Sequence, residues 1–158
     1  MFYWTSLYFF YIILFYFIIQ AIMDLVSMKV NVGINKIALL IVLALAYYGF
    51  YRGKDVPTHT LVIFGVIYLF FFIMSKTKWL GAGDVDGIFI GSLTTYIMYG
   101  NYLGSVIFVV MSYALFRLAI RLKKVPAGTL VYLPYFPFML FSYIITWVLQ
   151  AKVFKFGM

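Results

Sequence analysis

Cysteine and glutamate are both missing from this 158-residue chain, and histidine occurs once. Without cysteine there can be no disulfide, thiolate metal site or cysteine nucleophile, and the chain is indifferent to its redox compartment. A metalloprotease-type site would have to draw its protein ligands from aspartates alone, so neither a metal nor another cofactor is expected. A Ser-His-Asp site would depend on His59, the one imidazole, which falls in the second connection, on the side opposite the acidic residues discussed below. Acidic side chains are almost as scarce, four in all, and two of them, Asp84 and Asp86, share the short stretch Gly81-Ala82-Gly83-Asp84-Val85-Asp86-Gly87.

Apolar residues are abundant instead. A chain that is 66% hydrophobic, 23% aromatic and 10% charged does not describe a soluble globule, and an integral membrane protein is expected. The apolar runs cover residues 2–23, 34–50, 60–74, 85–99, 103–122 and 130–149. At about 20 residues per span, they predict an all-α bundle of about six transmembrane helices in a single domain over 1–158, with no room for a further soluble domain. Continuous rather than alternating runs favour helices over a barrel. No Lys or Arg precedes Lys29, so residues 2–23 are expected to be a retained first helix rather than a cleaved signal peptide. Trp4, Trp79 and Trp147 lie near run ends, as an aromatic belt requires.

Basic residues orient the bundle, because short loops rich in Lys and Arg remain cytoplasmic. Lys29, Lys36, Lys76, Lys78, Arg117, Arg121, Lys123 and Lys124 mark the first, third and fifth connections. Arg52, Lys54, Lys152 and Lys155 mark the other side. Eight against four predicts both termini outside, and places Asp24, at the end of the first run, and Asp84, at the start of the fourth, at the cytoplasmic face. The net charge of +8 is scattered along the chain, which suits anionic membrane lipids and gives no nucleic-acid site.

Moving an aspartate towards a bilayer centre costs on the order of 2.5–3.5 kcal/mol, so carboxylates at such positions are candidates for function. Two aspartates held close together do not both ionise readily; one keeps its proton, and the pair can deprotonate a water while protonating a carbonyl oxygen. Asp24 and Asp84 are the candidate pair, the plainer alternative being interfacial residues paired with Lys29 or Lys78. Gly83, Gly87 and Gly91 form a stripe of small residues that would admit another helix closely. Gly81 and Gly83 also permit backbone conformations, or backbone proximity to a substrate, that a side chain would forbid. Pro134 and Pro137 each remove a backbone donor, predicting a break or kink near the start of the sixth helix that frees carbonyls around Leu130 and Leu133.

The segment Gly81-Ala82-Gly83-Asp84 resembles the Gly-x-Gly-Asp motif of the type IV prepilin peptidases, membrane aspartic proteases that include the archaeal preflagellin (prearchaellin) peptidases. Asp24-Leu25, followed by Lys29-Val30-Asn31, looks like the family's first catalytic aspartate with its downstream basic, aliphatic and Asn positions. Leu133-Pro134-Tyr135-Phe136-Pro137-Phe138 resembles its late Pro-Phe-x-Pro-Phe segment. The resemblance extends over the whole chain. It implies Asp24 and Asp84 as the catalytic pair, Gly81, Gly83, Gly87, Asp86, Pro134 and Pro137 as supporting or substrate-binding positions, and pilin-like or archaellin precursors as partners.

Bacterial members usually have Lys two places after the second aspartate, a proline after the first, and a cysteine-bearing domain linked to methyltransferase activity. Here Asp86 and Asn31 stand at those places and the cysteines are absent, which implies a short, peptidase-only member. Asp86 is read as a local polar or charge-tuning group. A presenilin or signal-peptide-peptidase type protease also uses Gly-x-Gly-Asp, but Met23 rather than Tyr precedes Asp24 and no Pro-Ala-Leu segment exists. A small transporter with Asp24 and Asp84 as coupling sites would be expected to show a repeat, and the two halves do not mirror each other.

Overall fold

The computed structural model describes residues 2–27, 29–51, 58–76, 81–100, 102–122 and 133–155, whose regular structure is entirely helical. Arg52, Lys54, Lys78, Trp79, Lys123, Lys124 and Leu130 lie outside the described residues. Among the described residues six helices follow one another: α1 (Phe2–Ser27), α2 (Val32–Tyr51), α3 (Thr58–Lys76), α4 (Ala82–Tyr99), α5 (Tyr102–Leu122) and α6 (Phe136–Lys155). Two of them, over Phe9–Ser27 and Tyr102–Leu122, are long and apolar enough to cross a membrane, and Val32–Ala44, Val62–Lys76 and Phe136–Gln150 are shorter apolar helices. Large apolar side chains such as Phe15, Val26, Leu40, Val66 and Leu122 remain exposed, a surface that needs an apolar covering.

Five helices begin and end close to the apolar runs, and the sixth does not. Its run begins at Leu130, but α6 starts at Phe136. Of the expected break or kink, the described residues show an interruption just before Phe136. Leu133 and Pro134 lie outside the helix, consistent with the bias of a residue before proline away from the helical region. Pro137 sits in the first turn, where an N–H has no partner within the helix in any case. Tyr135 serves as the cap, its carbonyl accepting from the N–H groups of Phe138 (3.0 Å) and Met139 (3.2 Å).

α4 is the hub, packing against all five other helices, whereas among the described residues α3 packs against α4 alone. Small residues on α4 explain how so many neighbours reach it, but they do not serve a single partner helix as the stripe suggested. A Cβ on Gly83 would lie 2.8 Å from Val30 Cβ, in the α1–α2 connection; one on Gly87 would lie 2.7 Å from Phe136 Cζ and 2.9 Å from Met139 Cε, on α6; one on Gly91 would run into the ring of Phe108, on α5. Beneath this face Phe17, Phe108, Phe136 and Tyr143 form a buried aromatic core, with Phe17 at its centre, 5.2 Å from the Tyr143 ring and 5.9 Å from that of Phe108. Such ring pairs contribute roughly 0.5–1.5 kcal/mol each beyond their buried area. Interhelical hydroxyls add to it: Ser105 donates to the Ser92 carbonyl at 2.6 Å, and Tyr135 donates to Ser112 Oγ at 3.2 Å.

Candidate active site

Asp84 occupies the third position of α4, with Gly81 as the residue before the first turn. Its Oδ2 accepts the Gly81 N–H at 3.1 Å, folding the carboxylate back over the start of the helix. A side chain at 81 would collide with that fold, since a Cβ there would lie 2.9 Å from Asp84 Oδ2. Gly81 has φ of −67°, and Gly100 is the one glycine in the left-handed region among the described residues. The motif glycines are thus required for room rather than for an unusual backbone: Gly81 makes space for the catalytic candidate and Gly83 for Val30.

Asp24 lies in the last turn of α1 and is buried. Its partner is a backbone group 112 residues away, the N–H of Phe136, which donates to Oδ2 at 3.0 Å. Asp24 therefore caps α6 from another helix, where the positive end of the helix dipole favours a carboxylate. Phe136 also presses its ring against bare Gly87, one turn beyond Asp84. The route from one aspartate to the other is thus Asp24, the Phe136 backbone, the Phe136 ring, Gly87 and Asp84. Asp24 lies near enough for its charge to act on Asp84; Tyr16 feels the charge of Asp86 first and that of Asp84 second, and Asp84 reaches Tyr135 as well.

Asp86 points elsewhere. Residues two apart on a helix do not share a face, and the Tyr68 hydroxyl of α3 donates to Asp86 Oδ1 at 3.3 Å, while Asn35 and Lys36 of α2 approach from the other side. It thus stands between α2 and α3, away from the route that joins Asp24 to Asp84. Pro134 and Pro137 flank the Phe136 N–H that Asp24 accepts. His59 lies in the first turn of α3, nine residues before Tyr68 and roughly 13 Å from it along the helix.

Sequence reasoning missed a polar cluster on the α1–α2 hairpin. Asn31 caps α2, its Oδ1 accepting the Ile34 N–H at 3.1 Å. Gln20 clasps the Asn31 backbone at both ends, donating to its carbonyl (2.9 Å) and accepting its N–H (3.1 Å). Asn35, fully buried, accepts from Tyr16 Oη at 2.9 Å and from Gln20 Nε2, and donates to the Gly83 carbonyl at 3.2 Å. Amides inside so apolar a chain were the available signal, because each must find partners. Among the described residues no group of three or more His, Asp or Glu side chains could hold a metal ion. No family model matches the chain, and neither the curated proteins nor the solved structures compared with it include a match.

Proposed function

We propose that this chain is a membrane aspartic endopeptidase that removes the basic leader from pilin-like or archaellin-like precursors at the cytoplasmic face, with six membrane-crossing helices and both termini outside. The observation that carries the reading is that two carboxylates sixty residues apart in sequence, near enough for the charge of Asp24 to act on Asp84, are each held through Oδ2 by a backbone N–H at a helix start. Held in this way, the carboxylates keep fixed directions while Oδ1 of each is outside the capping contact. In the reaction, the ionised aspartate removes a proton from water as its oxygen attacks the scissile carbonyl carbon, and the protonated partner gives its proton to the carbonyl oxygen. Collapse of the gem-diol breaks the C–N bond, with one diol proton returned to a carboxylate and the leaving nitrogen protonated by the other.

The test is precursor cleavage by purified Asp24→Asn and Asp84→Asn. Each change should abolish cleavage in a protein that still folds, and the double variant should be no worse, because groups acting as a unit are not additive. Asp86→Asn, between α2 and α3, should be milder. Cleavage surviving either of the first two changes would remove that residue from the mechanism.

A second reading is favoured by the same hydrogen bonds. Both aspartates could serve solely as caps, Asp84 on α4 and Asp24 on α6. Asparagine caps as well as aspartate does, so on this reading the Asn variants would keep every property of the parent.

A further inference from the structure

Asn35 is a fully buried amide whose hydrogen bonds reach two other helices. A primary amide offers two acceptor places and two donor hydrogens. Tyr16 and Gln20, both on α1, fill the acceptor places. On the donor side Nδ2 holds the Gly83 carbonyl and also reaches the Asp86 carboxylate, both on α4. The amide orientation follows from these partners, since the reverse flip would set its NH2 against the donor Nε2 of Gln20 and its oxygen against the Gly83 carbonyl. Gln20 in turn does not swing freely, because the Asn31 backbone holds it at both ends.

The bonded carbonyl belongs to the residue immediately before Asp84. Few direct contacts join α1 and α4, yet α1 carries one aspartate and α4 the other. Asn35 stands between them as a rigid, doubly occupied bridge. An apolar side chain of the same size would fill the space but fix neither the height nor the rotation of the first turn of α4.

We propose that Asn35 is a positioning residue, setting the first turn of α4 against α1 so that Asp84 meets Asp24. This rests on the peptidase reading above. Asn35→Leu keeps the branched outline, with bulkier methyl ends, and removes the hydrogen bonds to Tyr16, Gln20 and Gly83. In the full chain, purified in lipid, kcat for precursor cleavage per folded molecule should fall on the order of 10- to 100-fold, the cost of small misplacements of reacting groups. KM should stay within about threefold, because no substrate contact is removed. A second readout is independent of cleavage: the infrared carboxyl band that disappears in Asp84→Asn, followed against pH, should titrate at a different midpoint in Asn35→Leu than in the parent. Should Asn35→Leu fail to fold, Asn35→Ala, which adds neither bulk nor charge, is measured in both ways. An unchanged kcat per folded molecule, or a band that titrates as in the parent, overturns the proposal. If the parent cleaves no precursor, the peptidase reading fails by itself and the infrared band alone decides the role of Asn35.

Discussion

Asp24→Asn separates capping from catalysis, since the two roles place different demands on one side chain. The Phe136 N–H needs only an acceptor oxygen, which the amide retains. Loss of the negative charge removes a helix-dipole interaction of about 0.3–1 kcal/mol. It also relieves the repulsion between Asp24 and Asp84 and the cost of keeping a buried carboxylate charged, contributions of the opposite sign. The net change should stay within about 1 kcal/mol, or roughly 2–4 °C in Tm for a chain of this length. Asp24→Ala removes the acceptor, leaves a buried N–H unpaired and should cost about 1–3 kcal/mol. Cleavage should respond in a different order, with Asn losing on the order of 10²–10⁴-fold, the usual contribution of a positioned acid or base, and Ala no more than that per folded molecule. Thermal melting in detergent beside single-turnover cleavage of a precursor measures both. An Asn variant that cleaves normally would reduce Asp24 to a cap. One that melts as early as the Ala variant would show that the capping account is wrong.

Gly87→Ala should push the buried Phe136 ring off α4 and pull on its bond to Asp24, destabilising the protein by about 1–3 kcal/mol and lowering cleavage per folded molecule; an unaffected variant would break the proposed route between the aspartates. EDTA should leave the purified enzyme active, and activity that vanished and returned with added zinc would overturn the carboxylate mechanism. For topology, a cysteine at Ser75 should be shielded from an impermeant thiol reagent in intact cells and one at Gly157 labelled, the cysteine-free background leaving no other target. The reverse pattern would put Asp24 and Asp84 outside, where a leader held in the cell does not reach them.

Much of the helical layout could be read from hydropathy alone, because spans of apolar residues leave their ends marked by charge, glycine or proline. The start of α6 could not. By composition the run is continuous through Leu133, and the exact place of the interruption is decided by where the Phe136 N–H finds its acceptor, Asp24. The proposed pairing of Asp24 with Asp84 was suggested by scarcity and by charge counting, yet the contacts that link their helices, a backbone bond from Phe136 to Asp24 and the Phe136 ring against Gly87, have no local signature. The divergence of Asp86 was readable in principle, since a separation of two turns a helical side chain to another face. Asn35 was overlooked because one amide in an apolar run says that partners exist without saying on which helix.

The bond between Asp24 and Phe136 also bears on when during synthesis such an enzyme could begin to act. Both aspartates have been translated by residue 84, and a nascent chain of that length already carries the chemical groups of the reaction. The N–H that orients the first of them emerges 112 residues after it, together with the ring that seats against α4. Chains grow and fold from the N-terminus onwards, so a ribosome-bound fragment holding α1 to α5 would carry an unaimed pair. On the peptidase reading, proteolytic competence would arrive only with α6.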